Sequence, residues 1–153
     1  MRASVDVGGD VDLDVDGNLD GDGDLNLVAT FDEGLQFIRN QQPSGSDIHD
    51  VYQRAIEFLS LAIEVVDELP RGHAERRDQL IRAAESVVRN IAEGAGRWSQ
   101  TDGSKHYKIA RGEAMESASS LDVLKLRKLV KPEKYDRGIE LLEGIVAMLT
   151  KMF

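Results

Sequence analysis

Asn90-Ile91-Ala92-Glu93-Gly94-Ala95-Gly96-Arg97 is the stretch on which the fold of this chain turns. Leu80, Ala84, Val87 and Ile91 lead into it at intervals of four, three and four, the spacing that keeps apolar side chains on one face of a helix. Gly94 and Gly96 then close the pattern, since glycine supplies the left-handed or close-approach backbone found where helices end. Glu93 falls at the negative end of that helix dipole and calls for a cation four residues away, Arg89 or Arg97. A polar turn over residues 99–104 follows, and beyond it a second apolar stripe begins.

The same arithmetic extends in both directions. Upstream, Ile48, Tyr52, Ala55, Leu59, Ala62, Val66 and Leu69 alternate spacings of four and three, with Ser46 or Asp47 as N-cap and Pro70 as the stop. The helix carrying the opening stretch starts near Ala74. Downstream, Tyr107, Ala110, Ala114, Ala118, Leu121 and Leu124 mark a third helix, where Gly112, Ser117, Ser119 and Ser120 permit close approach. Pro132 suits the first position of a fourth helix, striped by Tyr135, Ile139, Leu142, Val146, Leu149 and Phe153. Connections this short favour antiparallel neighbours, so residues 47–153 are predicted to form an all-α, up-and-down four-helix bundle.

Helices one and four carry more apolar residues than these stripes use. Ile56 and Ile63 flank the first helix on one side and Val51, Phe58 and Val65 on the other; Leu141, Ile145, Met148 and Met152 do so on the fourth. Exposed apolar stripes are costly in a monomer. The surplus predicts self-association, with Val51, Phe58, Val65, Ile145, Met148 and Met152 at the contact.

The net charge of -9 is unevenly placed. Residues 1–46 hold ten acids (Asp6, Asp10, Asp12, Asp14, Asp16, Asp20, Asp22, Asp24, Asp32, Glu33) against Arg2 and Arg39, so the excess is -8 there and -1 over residues 47–153. Residues 4–26 are nearly all Val, Leu, Asp, Gly and Asn, a low-complexity composition that predicts a disordered acidic tail. Within it Asp12, Asp14, Asp16, Asn18 and Asp20 follow the start of a calcium loop, with Gly17 at its sixth position, but Gly23 stands where the twelfth-position Glu belongs. A short helix is expected over residues 31–40: Thr30 and Glu33 have capping-box spacing, and Val28, Phe31, Leu35 and Ile38 fall at helical intervals. Residues 41–46 read as a linker.

Function classes narrow by exclusion. The chain has no cysteine, hence no disulfide, thiolate metal site or cysteine nucleophile. It shows neither a secretory signal nor an apolar run long enough to span a membrane, and a cytoplasmic location is expected. His49, His73 and His106 lack metal-ligand spacing, and Glu113 and Glu116 share a helical face without a partner base or nucleophile. No enzyme activity, cofactor or small-molecule substrate is expected. Lys125, Arg127, Lys128, Lys131, Lys134 and Arg137 gather around the third turn against Glu133 and Asp136, a local +4 that suits either a helix dipole or the phosphates of RNA or DNA. At the first turn Arg71, Arg76, Arg77 and Arg82 are balanced by Asp67, Glu68, Glu75 and Asp78.

The run from Gln79 to Arg97, with Asn90, Ile91, Ala92, Glu93, Gly94, Gly96 and Arg97 at its end, resembles the signature of the four-helix-bundle proteins first noted in intervening sequences of bacterial 23S ribosomal RNA genes. Val51-Tyr52-Gln53-Arg54-Ala55 resembles that family's opening helix, Leu69-Pro70 its first turn, and the segment from Tyr107 to Glu116 its third helix. The likeness spans residues 47–153 and implies a homopentamer of four-helix bundles; the function expected of the chain is that of a non-enzymatic scaffold or interaction module. The accessory proteins of diversity-generating retroelements are similar in fold and are understood to bind a reverse transcriptase and nucleic acid. They are strongly basic and generally lack the Asn-Ile-Ala-Glu-Gly run, and this near-neutral bundle departs from them in both respects.

Overall fold

The structure is a computed structural model describing residues 46–153, which form four helices: α1 (Ser46–Asp67), α2 (Ala74–Ala95), α3 (Gln100–Leu126) and α4 (Pro132–Thr150). Each helix packs on its sequence neighbours, and α4 returns to pack on α1. Neither diagonal pair meets, so the described residues make a four-cornered ring of antiparallel helices. Residues 46–48, the loop at 96–99 and Phe153 share one end, the upper end; the loops at 68–73 and 127–131 share the lower end. The calcium-like run at residues 12–20 and the short helix expected at 31–40 lie outside the described residues.

The helix boundaries follow from local chemistry, with one departure. Ser99 is the N-cap of α3: its Oγ accepts from the Asp102 N–H at 3.1 Å, while its own backbone is extended. Residues 100–104, expected as a turn, are therefore the first turn of α3. They read as a loop because the first turn of a surface helix needs only polar groups that satisfy free N–H donors. Pro132 opens α4 as expected. The upstream turn is closed by Arg77, whose guanidinium donates to the Leu69 carbonyl, and by Gly72 at φ 94°.

The core draws Val51, Ala55, Phe58, Ala62, Val65 and Val66 from α1, Leu69 from the loop after it, and Leu80, Ala84, Val87 and Ile91 from α2. From α3 come Tyr107, Ala110, Ala114, Leu121 and Leu124, and from α4 Leu141, Leu142, Ile145 and Leu149. The stripes on α2 and α3 are those read from the sequence. On α1 and α4 the buried face is rotated: Val51, Phe58, Val65 and Ile145, expected between copies, are at most 1% exposed inside a single bundle. Met148 and Met152 lie half-buried against the same core. Both helices carry two overlapping stripes of identical spacing, and the one holding Phe58 fills the centre while Tyr52, Leu59, Tyr135, Ile139 and Val146 form its margin.

The tightest approach joins α2 to α3. A Cβ added at Gly94 would lie 2.5 Å from the Tyr107 ring, and one at Gly103 would lie 3.0 Å from the Gly94 carbonyl oxygen. Gly94 therefore serves packing. Gly96 has an ordinary right-handed backbone (φ -81°), and Gly112 would place a Cβ in open space, which corrects the conformational role expected of the first and the close-approach role of the second.

Candidate functional site

At the upper end the signature residues form a polar clamp between α2 and α3. Arg97 donates to Glu93 Oε1 at 2.7 Å, choosing between the two cations the sequence offered, and its Nε donates to His106 Nε2 at 3.2 Å. With Nε2 accepting, the ring hydrogen sits on Nδ1, which faces Asn90 Oδ1 at 3.4 Å and Glu93 Oε2 at 3.6 Å. Asn90 completes the chain by donating to the Ser86 carbonyl at 2.8 Å. Ile91 and Gly94 are buried beneath this clamp and Ala92 is half-buried. The Arg97–His106 contact and those of His106 with Asn90 and Glu93 join α2 and its end to α3, and no buried side-chain nitrogen or oxygen among the described residues is left without a partner. His106 was not singled out with the signature because its place in the clamp depends on α3 folding back along α2.

Beside the clamp an open pocket of about 420 Å³ is lined by Ile48, Trp98, Tyr107 and Met152 together with the charged Asp47 and Arg97. Trp98 is fully exposed, at 106%.

At the lower end the six bases of the third turn divide. Lys131 pairs with Glu68 at 2.9 Å, Lys134 with Glu64 at 2.9 Å and Glu68 at 3.3 Å, and Arg137 with Glu57 and with Glu140 at 2.8 Å. All but the Arg137–Glu140 pair, which lies within α4, tie the start of α4 to α1 and the loop after it, and the acids of those pairs lie more than sixty residues upstream, out of reach of any local charge count. The hydrogen bond from Lys131, then that from Lys134, holds the Glu68 carboxyl below its ordinary value. Lys125 stands 3.7 Å over the Tyr135 ring, whose hydroxyl donates to Asp122 at 2.7 Å. That hydrogen bond, followed by desolvation, raises the Tyr135 pKa. Arg127 and Lys128 meet no carboxylate among the described residues. The local +4 is therefore partly spent within the bundle, leaving Lys125, Arg127 and Lys128 outside its ion pairs, with Lys125 and Lys128 lining a shallow hollow of about 890 Å³ that also includes Glu68 and Asp136.

Lys128 has a second peculiarity. Its φ is 57°, and the N–H groups of Lys128 and Leu129 bond back to the Lys125 and Leu124 carbonyls at 2.9 and 2.8 Å. This is a Schellman helix end in which lysine holds the left-handed position usually given to glycine.

A third surface lies on the outside of α3. Ile109, Gly112, Met115, Ser119, Val123 and Leu126 share a helical face opposite the buried Ala110, Ala114 and Leu121, and Ile109, Met115, Val123 and Leu126 are 48, 53, 37 and 83% exposed. Two apolar faces on one helix make α3 the least amphipathic of the four, a feature the sequence reading, which counted only one stripe there, overlooked.

The described residues thus form an all-α four-helix bundle whose α2 end is clamped to α3 through the Asn-Ile-Ala-Glu-Gly run. The chain belongs to the 23S rRNA-intervening sequence protein family, whose model matches residues 48–151. No curated protein matches the chain. No helix among the described residues is long and apolar enough to cross a membrane.

Proposed function

We propose that the protein is a non-enzymatic, self-associating scaffold whose copies meet through the outer face of α3. The observation that carries this reading is the apolar face of Ile109, Met115, Val123 and Leu126 set opposite the core. Burying one such side chain is favourable by about 1.5–3 kcal/mol. An exposed mid-helix glycine costs about 1 kcal/mol relative to alanine, and Gly112, open to solvent in a single copy, would let a second backbone come close. This surface replaces the flanks of α1 and α4. A ring of five copies, as the family resemblance implies, and a cytoplasmic location belong to the same proposal.

Light scattering on the full chain at micromolar concentration tests it. The expected result is a mass several times that of one chain, reduced to a single chain by Val123→Lys with Leu126→Lys while helicity is retained. A monomeric wild type overturns the proposal.

A second reading, binding of RNA or DNA phosphates, has the support of Lys125, Arg127 and Lys128 alone. Lys128 keeps its side chain at a backbone position where glycine would be easier, and sparsely populated backbone states tend to persist where the side chain is needed.

A further inference from the structure

Tryptophan is rarely left uncovered, because it offers more apolar area than any other side chain. Trp98 is nevertheless fully exposed in the loop at 96–99, and Phe153 is 45% exposed at the same end. Between and around them lie Ile48, Tyr107 and Met152, lining the open pocket of about 420 Å³. The apolar face of α3 described above runs along the side of the bundle, whereas this patch lies at its end.

Three cations of the same end stand outside its ion pairs, although Asp47 and Asp50 are also exposed there. Lys108 stands 5.3 Å over the Phe153 ring, Arg111 donates to Thr150 at 3.0 Å, and Lys151 is exposed; none of the three meets a carboxylate among the described residues. An occupant of this end should therefore carry apolar side chains at helical or extended spacing together with negative charge.

The chain supplies such a segment at the right place. Asp47 and Ile48, which line the pocket, are the first residues of the pathway leading back to it. Val28, Phe31, Leu35 and Ile38 recur at intervals of three, four and three, with Asp32 and Glu33 between them, and only residues 39–46 separate Ile38 from Asp47. Nine steps of extended chain span at most about 30 Å. A helix with its side chains is roughly 10–12 Å across, so every part of the upper end is within reach. A tether this short also holds its segment at an effective concentration of about millimolar, well above that of a separate chain at micromolar concentration.

We infer that residues 28–38 dock on the upper end of their own bundle, laying Phe31 and Leu35 against Trp98 and its neighbours and bringing Asp32 and Glu33 toward Lys108 and Lys151. The acidic residues 6–24 then leave from the bundle's upper end, opposite the bases of the lower end. The inference is independent of self-association through α3.

Trp98 is the only tryptophan in the chain, so its fluorescence reports directly on the patch. The experiment compares the full chain with the full chain carrying Phe31→Asp and Leu35→Asp, by emission maximum and acrylamide quenching, over a hundredfold dilution. The substituted positions lie outside the described residues, and circular dichroism checks that helicity of the bundle persists. Docking gives a blue-shifted wild type, quenched several-fold less readily than the variant, with the difference unchanged by dilution. A wild-type Trp98 as accessible as a free tryptophan derivative overturns the inference, as does protection that survives both substitutions. Protection lost on dilution assigns the patch to a second copy and equally overturns docking in the same chain.

Discussion

Lys128 and Gly94 show how single backbone positions set the ends of the helices. A left-handed residue other than glycine costs roughly 1–2 kcal/mol, and Lys128 at φ 57° bears that cost without an ion pair among the described residues to offset it. Lys128→Gly is expected to raise stability by about 1 kcal/mol, read as a higher urea midpoint with an unchanged slope. The opposite holds at Gly94, where an added methyl meets the Tyr107 ring at 2.5 Å. Gly94→Ala should cost about 1–3 kcal/mol by overpacking, and part of that loss should return when Tyr107→Leu is added, because the two positions are in contact. Additive losses in the double variant would show that the glycine has another duty. The need for a glycine near residue 94 was legible from the sequence. The reason, a ring from the next helix, was not.

Between elements, the contacts that matter most are those no local pattern contains. Glu57 and Glu64 of α1 and Glu68 just beyond it meet the bases of the third turn only because α4 closes the ring against α1. Glu68 has a lowered pKa in the folded chain, so its contribution is complete above its unfolded value of 4.5 and is lost as pH falls through the lowered one. Lys134 has a raised pKa, owing first to its hydrogen bond with Glu64, and its contribution is lost only as pH rises through that raised value, above 10.5. Both groups face solvent, where such pairs stabilise little. Glu68→Gln should therefore leave the melting temperature near neutral pH almost unchanged but flatten the acid limb of stability against pH. Coincident acid limbs for wild type and variant would show the pair to be energetically silent. The four stripes on which the elements rest were counted correctly in number; on α1 and α4, where two stripes have equal spacing, the one holding Phe58 and Ile145 is buried, a choice that spacing alone does not make.

For the whole molecule, charge distribution governs which partners can approach. If polyanions bind the lower end, Lys125, Arg127 and Lys128 carry the contact, since Lys131, Lys134 and Arg137 are engaged by α1. Titration of the full chain with structured RNA in low salt is expected to show weak binding that declines steeply with added salt. Arg127→Glu with Lys128→Glu should abolish it, whereas Lys131→Ala should leave it nearly intact. Equal losses from all three substitutions would mean that the ion pairs with α1 open on binding. The acidic excess of residues 1–46 works against any such contact.

Heptad spacing, a proline at a helix start and glycines near a helix end are properties of neighbours along the chain, and they determined the four helices and their antiparallel order before any tertiary contact was known. The resemblance to a known family, not the spacing, marked Asn90, Glu93, Gly94 and Arg97 as a unit. Which of two equivalent stripes faces inward, which cations remain unspent and which apolar residues stay exposed depend on groups far apart in sequence. The tertiary structure alone decided that Val51, Phe58, Val65 and Ile145 are core, that Ile109, Met115, Val123 and Leu126 face outward, and that Trp98 stands uncovered. The physical reason is that burial and Coulomb energies depend on distance in space, whereas a sequence pattern records only distance along the chain.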